Sequence, residues 1–200
     1  MISEITEGTG SAGGYKIRNQ GAPHFITFSV VEWVDVFTRQ CYRDIILDSI
    51  RHCQANKGLL VHSWCIMSNH LHLVVSAKNA DLSDVLRDFK KYTSKQIIKA
   101  IEDNKQESRR ECLPAGQAGM LSVFKSSGEH NSRNTNYQFW RQDNQPMELY
   151  SAAFVFQKTN YIHQNPVEAG IVEKPEDYLY SSARDYVRRT KCGLLEVTFL

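Results

Sequence analysis

The alternation of apolar and polar positions divides the chain into a few clear elements. "HFITFSVVEW" (24–33) is β-branched and aromatic, the composition of a strand. In "RQCYRDIILDSIRHCQANKG" (39–58) Cys41, Ile45, Ile46 and Ile50 recur at helical spacing, and Gly58 supplies a stop. "LLVHSWCIMS" and "HLHLVVSA" read as two strands joined by a tight turn at Ser68-Asn69. Residues 82–104 form a long helix, with Leu82, Val85, Leu86 and Phe89 at i, i+3, i+4 and i+7. From 105 to 137 no period is sustained and Gly, Ser and Asn abound, so this stretch is read as a mobile insertion. "QFWRQ" (138–142) is expected as a short strand. "SAAFVFQKTNYIHQ" (151–164) is expected as a helix capped by Ser151 and ended by Asn165-Pro166.

The resulting order, β-α-β-β-α-β followed by a further helix, predicts an α+β fold. It is a ferredoxin-like split βαβ sandwich: an antiparallel sheet with helices on one face, plus a C-terminal helix. Residues 1–22 are a flexible lead-in, 23–190 a single domain, and 191–200 a tail.

Composition narrows the setting. The 200 residues suffice for one core, and no run of about 18 apolar residues occurs, so no membrane span is expected. The first residues lack the pattern of a secretory signal. Five scattered cysteines without a C-x-x-C pair read as reduced thiols in the cytoplasm. The formal charge of +2 permits a nucleic-acid partner without requiring one.

The chemistry concentrates in "MSNHLHLVV" (67–75). Side chains alternate faces along a strand, so His70 and His72 share one face and Leu71, Leu73 and Val75 the other. Two imidazoles in the middle of a sheet are costly unless something such as a cation satisfies them. A histidine-triad hydrolase needs a third histidine where Val74 stands. A two-histidine phosphodiesterase needs two His-x-Ser/Thr motifs, which "HSW" and "HQN" do not supply.

"HLH" fits the HUH nucleases, in which two histidines bind a divalent metal and a tyrosine attacks DNA. "SWCIMSNHLHLVV" closely resembles the signature strand pair of the IS200-like, single-tyrosine transposases. "FWRQDNQP" and "NYIHQNPVEAGIVEKPEDYLYSSARDY" resemble later signatures of the REP-associated tyrosine transposase branch. These blocks cover most of residues 24–187 in family order. The resemblance implies cleavage of single-stranded DNA beside a hairpin, a 5′-phosphotyrosyl link, a free 3′-hydroxyl and strand rejoining. It also implies a homodimer, and Mg²⁺ or Mn²⁺ as the metal. "CLPAGQAGM" (112–120) departs from the family pattern.

Two tyrosines precede an amide by four residues on a helix: Tyr92 with Gln96, and Tyr161 with Asn165. Tyr92 continues the apolar stripe of its helix, which packing explains. Tyr161 shares its face with Gln157, Lys158, Gln164 and Asn165, and it matches the family nucleophile. Tyr161 is therefore the candidate nucleophile, with Tyr92 the alternative. Asn165 is a candidate third ligand beside His70 and His72, or else a helix cap. His163 lies about 200° around from Tyr161 and is read as structural. His62 and Trp64 are expected on one strand face, Trp64 as core. Candidate DNA contacts are Lys90, Lys91 and Lys95 on the second helix, then Arg184, Arg188 and Arg189 interleaved with tyrosines. Two other classes stay open. One is an inactive, domesticated binder of hairpin DNA or RNA; the other is a phosphatase that uses water as its nucleophile.

Overall fold

The computed structural model describes residues 17–110, 118–129, 136–143, 145–189 and 193–200. Four strands form one sheet: β1 (His24–Ser29), β2 (Leu59–Ile66), β3 (His70–Ala77) and β4 (Met147–Glu148). Their order is β2-β3-β1-β4 and every pairing is antiparallel, which is the ferredoxin-like arrangement. Among the described residues five α-helices accompany it: α1 (Gln40–Lys57), α2 (Leu82–Asp103), α3 (Met120–Glu129), α4 (Ala152–Glu168) and α5 (Ala183–Arg188).

Alternation assigns the two faces of the sheet. Ile26, Phe28, Leu71, Leu73 and Val75 point to one side, where they join Ile46, Ile50, Phe89 and Ile97 of α1 and α2 in the main core. Phe25, Cys65 and Val74 point to the other, where a smaller cluster gathers them with Ile162, Phe154 and Val155 of α4. α1 and α2 thus cover one face, and α4 crosses the opposite one. Register fixes what α4 meets, because Thr27 stands opposite His72 and Ser29 opposite His70.

α1 ends as its sequence predicts, with Gly58 left-handed at φ 67° and its N–H donating to the Cys53 carbonyl. Other elements differ from the expectation. The fourth strand is Met147–Glu148, pairing with Phe25 and His24, rather than residues 138–142. Phe139 and Trp140 run past the end of β1 with one isolated bridge, Val30 to Trp140. Their side chains are buried in the main core, and the Trp140 indole donates to Thr93. Val31 N–H donates to the Phe139 carbonyl and Arg141 N–H to the Ser29 carbonyl, so the expected strand is reduced to this one bridge, and burial accounts for the rest of its composition.

α4 does not stop before Pro166 but continues to Glu168. The proline removes one donor, and the helix closes one turn later. There Ile171 N–H bonds the Pro166 carbonyl and Gly170 N–H the Val167 carbonyl, with Gly170 at φ 68°. That is a Schellman closure.

Within the stretch read as a mobile insertion, residues 120–129 form α3, whose Met120 and Phe124 are fully buried. Gly128 was part of the polar, glycine-rich signal. It is needed for packing, since a Cβ there would come within 2.8 Å of the Tyr137 backbone. Glu107 is buried among Arg39, Arg109 and Tyr42, which tie the chain after α2 to the start of α1. The rest of that stretch, residues 111–117 and 130–135, lies outside the described residues, as do 1–16 of the lead-in. Gln20 of the lead-in bonds Ser83 at the start of α2. In the tail Val197 is buried and Thr198 N–H donates to Val61. Cys41, Cys53 and Cys65 are free thiols.

Candidate active site

The site is built on the face of the sheet that α4 crosses. His70 and His72 sit two residues apart on β3, and their ring centroids are 4.7 Å apart. Each ring is held at Nδ1. Thr27 Oγ1 lies 2.9 Å from His72 Nδ1, delivered by the β1–β3 register. His70 Nδ1 is 2.8 Å from Asn69 Oδ1. The Asn69 amide donates to Asp35 and to the Trp33 carbonyl, so its Oδ1 is free to accept from the imidazole. With Nδ1 donating, the Nε2 lone pair of His70 is turned to the site. His72 is almost fully buried, and its Nε2 has no hydrogen-bond partner.

An orphaned imidazole nitrogen in a sheet interior is expensive unless a cation meets it. Burial pushes the His72 pKa down to about 3, and His70 and Lys158 add to the fall while Asn165 opposes it. His70 is lowered for the same first reason, burial, again opposed by Asn165. Both rings are therefore neutral at physiological pH, the form that binds a metal.

α4 supplies the other wall. The Tyr161 ring lies 5.3 Å from that of His72 and 5.9 Å from that of Phe25, edge-on to each, and the residue is 44% exposed. One turn on, Asn165 Nδ2 donates to the Tyr161 carbonyl at 2.7 Å, which leaves Oδ1 for the imidazoles it influences. Two neutral imidazoles and an amide oxygen suit a divalent ion of the Mg²⁺, Mn²⁺ or Zn²⁺ kind. The side chains present fit such an ion. Among the described residues no group of three His, Cys, Asp or Glu side chains could hold one, so the amide is essential to the fit.

Lys158 completes this wall. Its ammonium is 4.9 Å from the Phe25 ring, 5.6 Å from Phe154 and 5.7 Å from Tyr161. Its place one turn before Tyr161 was readable as a shared helix face, but its nearness to His72 required the packing of α4 on the sheet.

Beyond His70 the chain is strained. Glu32 and Trp33 adopt φ of 51° and 53°, a left-handed pair without glycine that costs ~1–3 kcal/mol per residue. Nothing in "VVEW" signals it.

The remaining candidates fall elsewhere. Tyr92 is on α2, across the sheet from the histidines. It is 57% exposed, so packing does not explain it as its position in the stripe suggested. It lines a cleft between α1 and α2 with His52, Lys57 and Gln96. His163 is buried, bonded to Ser182 Oγ at 2.9 Å and packed on Tyr186, facing away from the site as expected.

A bulge between Val61 and Ser63 corrects the reading of β2. His62 reaches Ser76, on the histidine face of β3, whereas Trp64 is in the main core. Lys90, Lys91 and Lys95 lie with Phe28 and Trp140 along a groove of about 1230 Å³ on the face opposite the histidines. The Lys90 ammonium donates to the Arg141 carbonyl, and burial lowers its pKa to about 8. On α5, Arg184 bonds the Glu176 carbonyl, while Arg188 at its end and Arg189 just past it are exposed. α5 packs on the His163 side of α4, so neither basic group joins the histidines directly.

The fold and this site define an α+β protein with paired imidazoles on an antiparallel sheet and a helix-borne tyrosine facing them. Residues 22–113 match the family of IS200-like transposases, and over that stretch, which holds "SWCIMSNHLHLVV", the resemblance read from the sequence is borne out. A solved structure of a REP-associated tyrosine transposase bound to a REP hairpin shares the fold. Its TM-score is 0.54 at 17% identity, over 100% of this chain and 95% of that one. No curated protein matches the chain. No helix among the described residues is long and apolar enough to cross a membrane.

Proposed function

We propose that the protein is a metal-dependent, single-stranded DNA transposase or endonuclease that cleaves and rejoins strands next to a hairpin. The observation that carries this reading is the pairing of Tyr161 with His72, whose buried Nε2 has no partner in the protein. His70 and His72 through Nε2, with Asn165 Oδ1, would hold Mg²⁺ or Mn²⁺. When bound, such an ion offsets the negative charge that develops on a phosphodiester under attack.

The chain supplies the rest. Tyr161 Oη attacks phosphorus, an Oη–P bond forms, and the P–O3′ bond breaks. The phenolic proton is given up and the departing 3′-oxygen gains one, leaving a free 3′-hydroxyl and a 5′-phosphotyrosine. Because the ester is conserved, the same residues can run the reaction backwards and join strands. Lys158 beside the phenol meets the phosphate as a fixed cation. Lys91, Lys95, Arg188 and Arg189 are exposed cations that would follow the DNA backbone at a distance from the cut. The hairpin carried by the structural neighbour supports a hairpin partner here, and the resemblance extends to a homodimer.

The test uses hairpin oligonucleotides with single-stranded flanks, labelled at either end, with Mg²⁺ or Mn²⁺ and with a chelator. Cleavage beside the hairpin that needs the metal and is lost in His72→Ala is the expected result. Tight hairpin binding without cleavage under either metal would leave only a binding module.

A further inference from the structure

We propose that Trp33 and Arg141 form the seat of the nucleobase immediately upstream of the cut, on the nucleotide that departs with the free 3′-hydroxyl. This rests on the cleavage reading above and adds a position to it. The chain has three tryptophans. Trp64 and Trp140 are core residues, whereas Trp33 is 51% exposed. Half of this indole is open to solvent, and its backbone is held in the left-handed region beside His70.

Trp33 is also keyed to the site. Its carbonyl accepts from Asn69, the residue that holds His70, and its ring stands edge-on to His70 at 6.1 Å. Ring contacts run from Tyr161 to His72, from His72 to His70, and from His70 to Trp33. In-line displacement at phosphorus sends the leaving oxygen to the side opposite the nucleophile. With Tyr161 at the His72 end of this row, the 3′-oxygen and its nucleotide leave toward Trp33.

The Arg141 guanidinium lies 5.2 Å from the indole centroid, anchored by both oxygens of Asp143. It stiffens the platform and places a cation where the upstream phosphate would pass. A base stacked on the open part of the indole would set the position of the phosphate between the histidines and Tyr161.

The experiment pairs protein variants with abasic substrates. After the cut made by the wild type is mapped, a single abasic residue is placed first upstream or first downstream of it. Cleavage is then followed at single turnover with wild type, Trp33→Ala and Trp33→Phe. Trp33→Ala should lose about ten-fold on intact DNA, as expected for one stacked base, and Trp33→Phe should recover most of it.

The upstream abasic residue should slow the wild type by a similar factor and Trp33→Ala hardly at all. The downstream one should slow both equally. Independent losses from the upstream abasic residue and Trp33→Ala overturn the proposal. So does a loss in Trp33→Ala that follows a change of oligomeric state in light scattering.

If the wild type does not cut, the cleavage reading fails separately, and the seat is read by fluorescence. Quenching of the indole by a single-stranded oligonucleotide, absent in Trp33→Phe, supports it. Equal quenching in both proteins, or none in either, overturns it.

Discussion

In the first half of β3 the two faces carry opposite chemistry. On one, Leu71, Leu73 and Val75 are fully packed against α1 and α2. On the other, His70 and His72 are held at one nitrogen each, beneath a helix that leaves Tyr161 half exposed and Lys158 among rings. The first face is satisfied by its neighbours. The second is arranged around groups that its neighbours do not satisfy. Along residues 70–73 stability and chemistry are thus separated by strand alternation, and substitutions at adjacent positions there should separate them too.

The largest effect is expected at the histidines. His72→Ala removes a ring whose buried Nε2 has no hydrogen-bond partner, and with it the bond to Thr27 and the stacking on Phe25. It should cost less stability than a truncation in the main core, while metal-dependent cleavage should fall at least 100-fold. Its neighbour should do the reverse. Leu73→Ala opens a cavity in the main core and should cost ~2–5 kcal/mol in urea denaturation, with the metal site of the folded protein intact. If His72→Ala were the more destabilising of the two, the faces would not divide as described.

Thr27, on the neighbouring strand, belongs to the polar face through its contact with His72. Thr27→Val keeps the shape of the side chain and deletes the hydroxyl that holds His72 Nδ1. Calorimetry with Mn²⁺ should show ~10–100-fold weaker binding at nearly unchanged stability. An unaltered affinity would mean that the hydroxyl does not orient the ring.

Acid should probe the polar face selectively. His72 at about 3 and His163 at about 4 are both depressed by burial, so the unfolded chain, with ordinary imidazoles near 6.5, takes up protons first. Their contribution is complete above about pH 6.5 and is lost as pH falls toward 3–4. The metal-free protein should lose roughly 2–4 kcal/mol between pH 7 and 5, and His72→Ala distinctly less. Glu107 acts lower still. Burial alone would raise it, but Arg109 and Arg39 hold it at about 2, so its contribution is lost only below about pH 4.5. A stability that is flat from pH 7 to 5 would show that the imidazoles are hydrated.

Much of this was legible in the chain. A period of two put both histidines on one face, and a period of 3.6 set Tyr161 beside Asn165 and Lys158 and apart from His163. What escaped was long-range or irregular. Met147–Glu148 is two residues long and has no period to detect, whereas Phe139 and Trp140 look like a longer strand because they are buried, although they pair at a single bridge. Pro166 sits inside α4 because a helix tolerates one lost donor near its end. The bulge at His62 broke an alternation that local sequence implied. The exposure of Tyr92 depends on how α1 and α2 lean together, and the left-handed Glu32-Trp33 on contacts from Asn69. Neither is written in neighbouring residues.

The central claim is that Tyr161 becomes covalently attached to DNA. The protein is incubated with Mn²⁺ and hairpin oligonucleotides labelled at either end, resolved under denaturing conditions, and the adduct digested for mass spectrometry. The account predicts an adduct with the strand downstream of the cut only, mapped to the peptide that contains Tyr161. It should be absent in Tyr161→Phe and retained in Tyr92→Phe. An adduct on Tyr92, or cleavage by the wild type with no adduct at all, would contradict it.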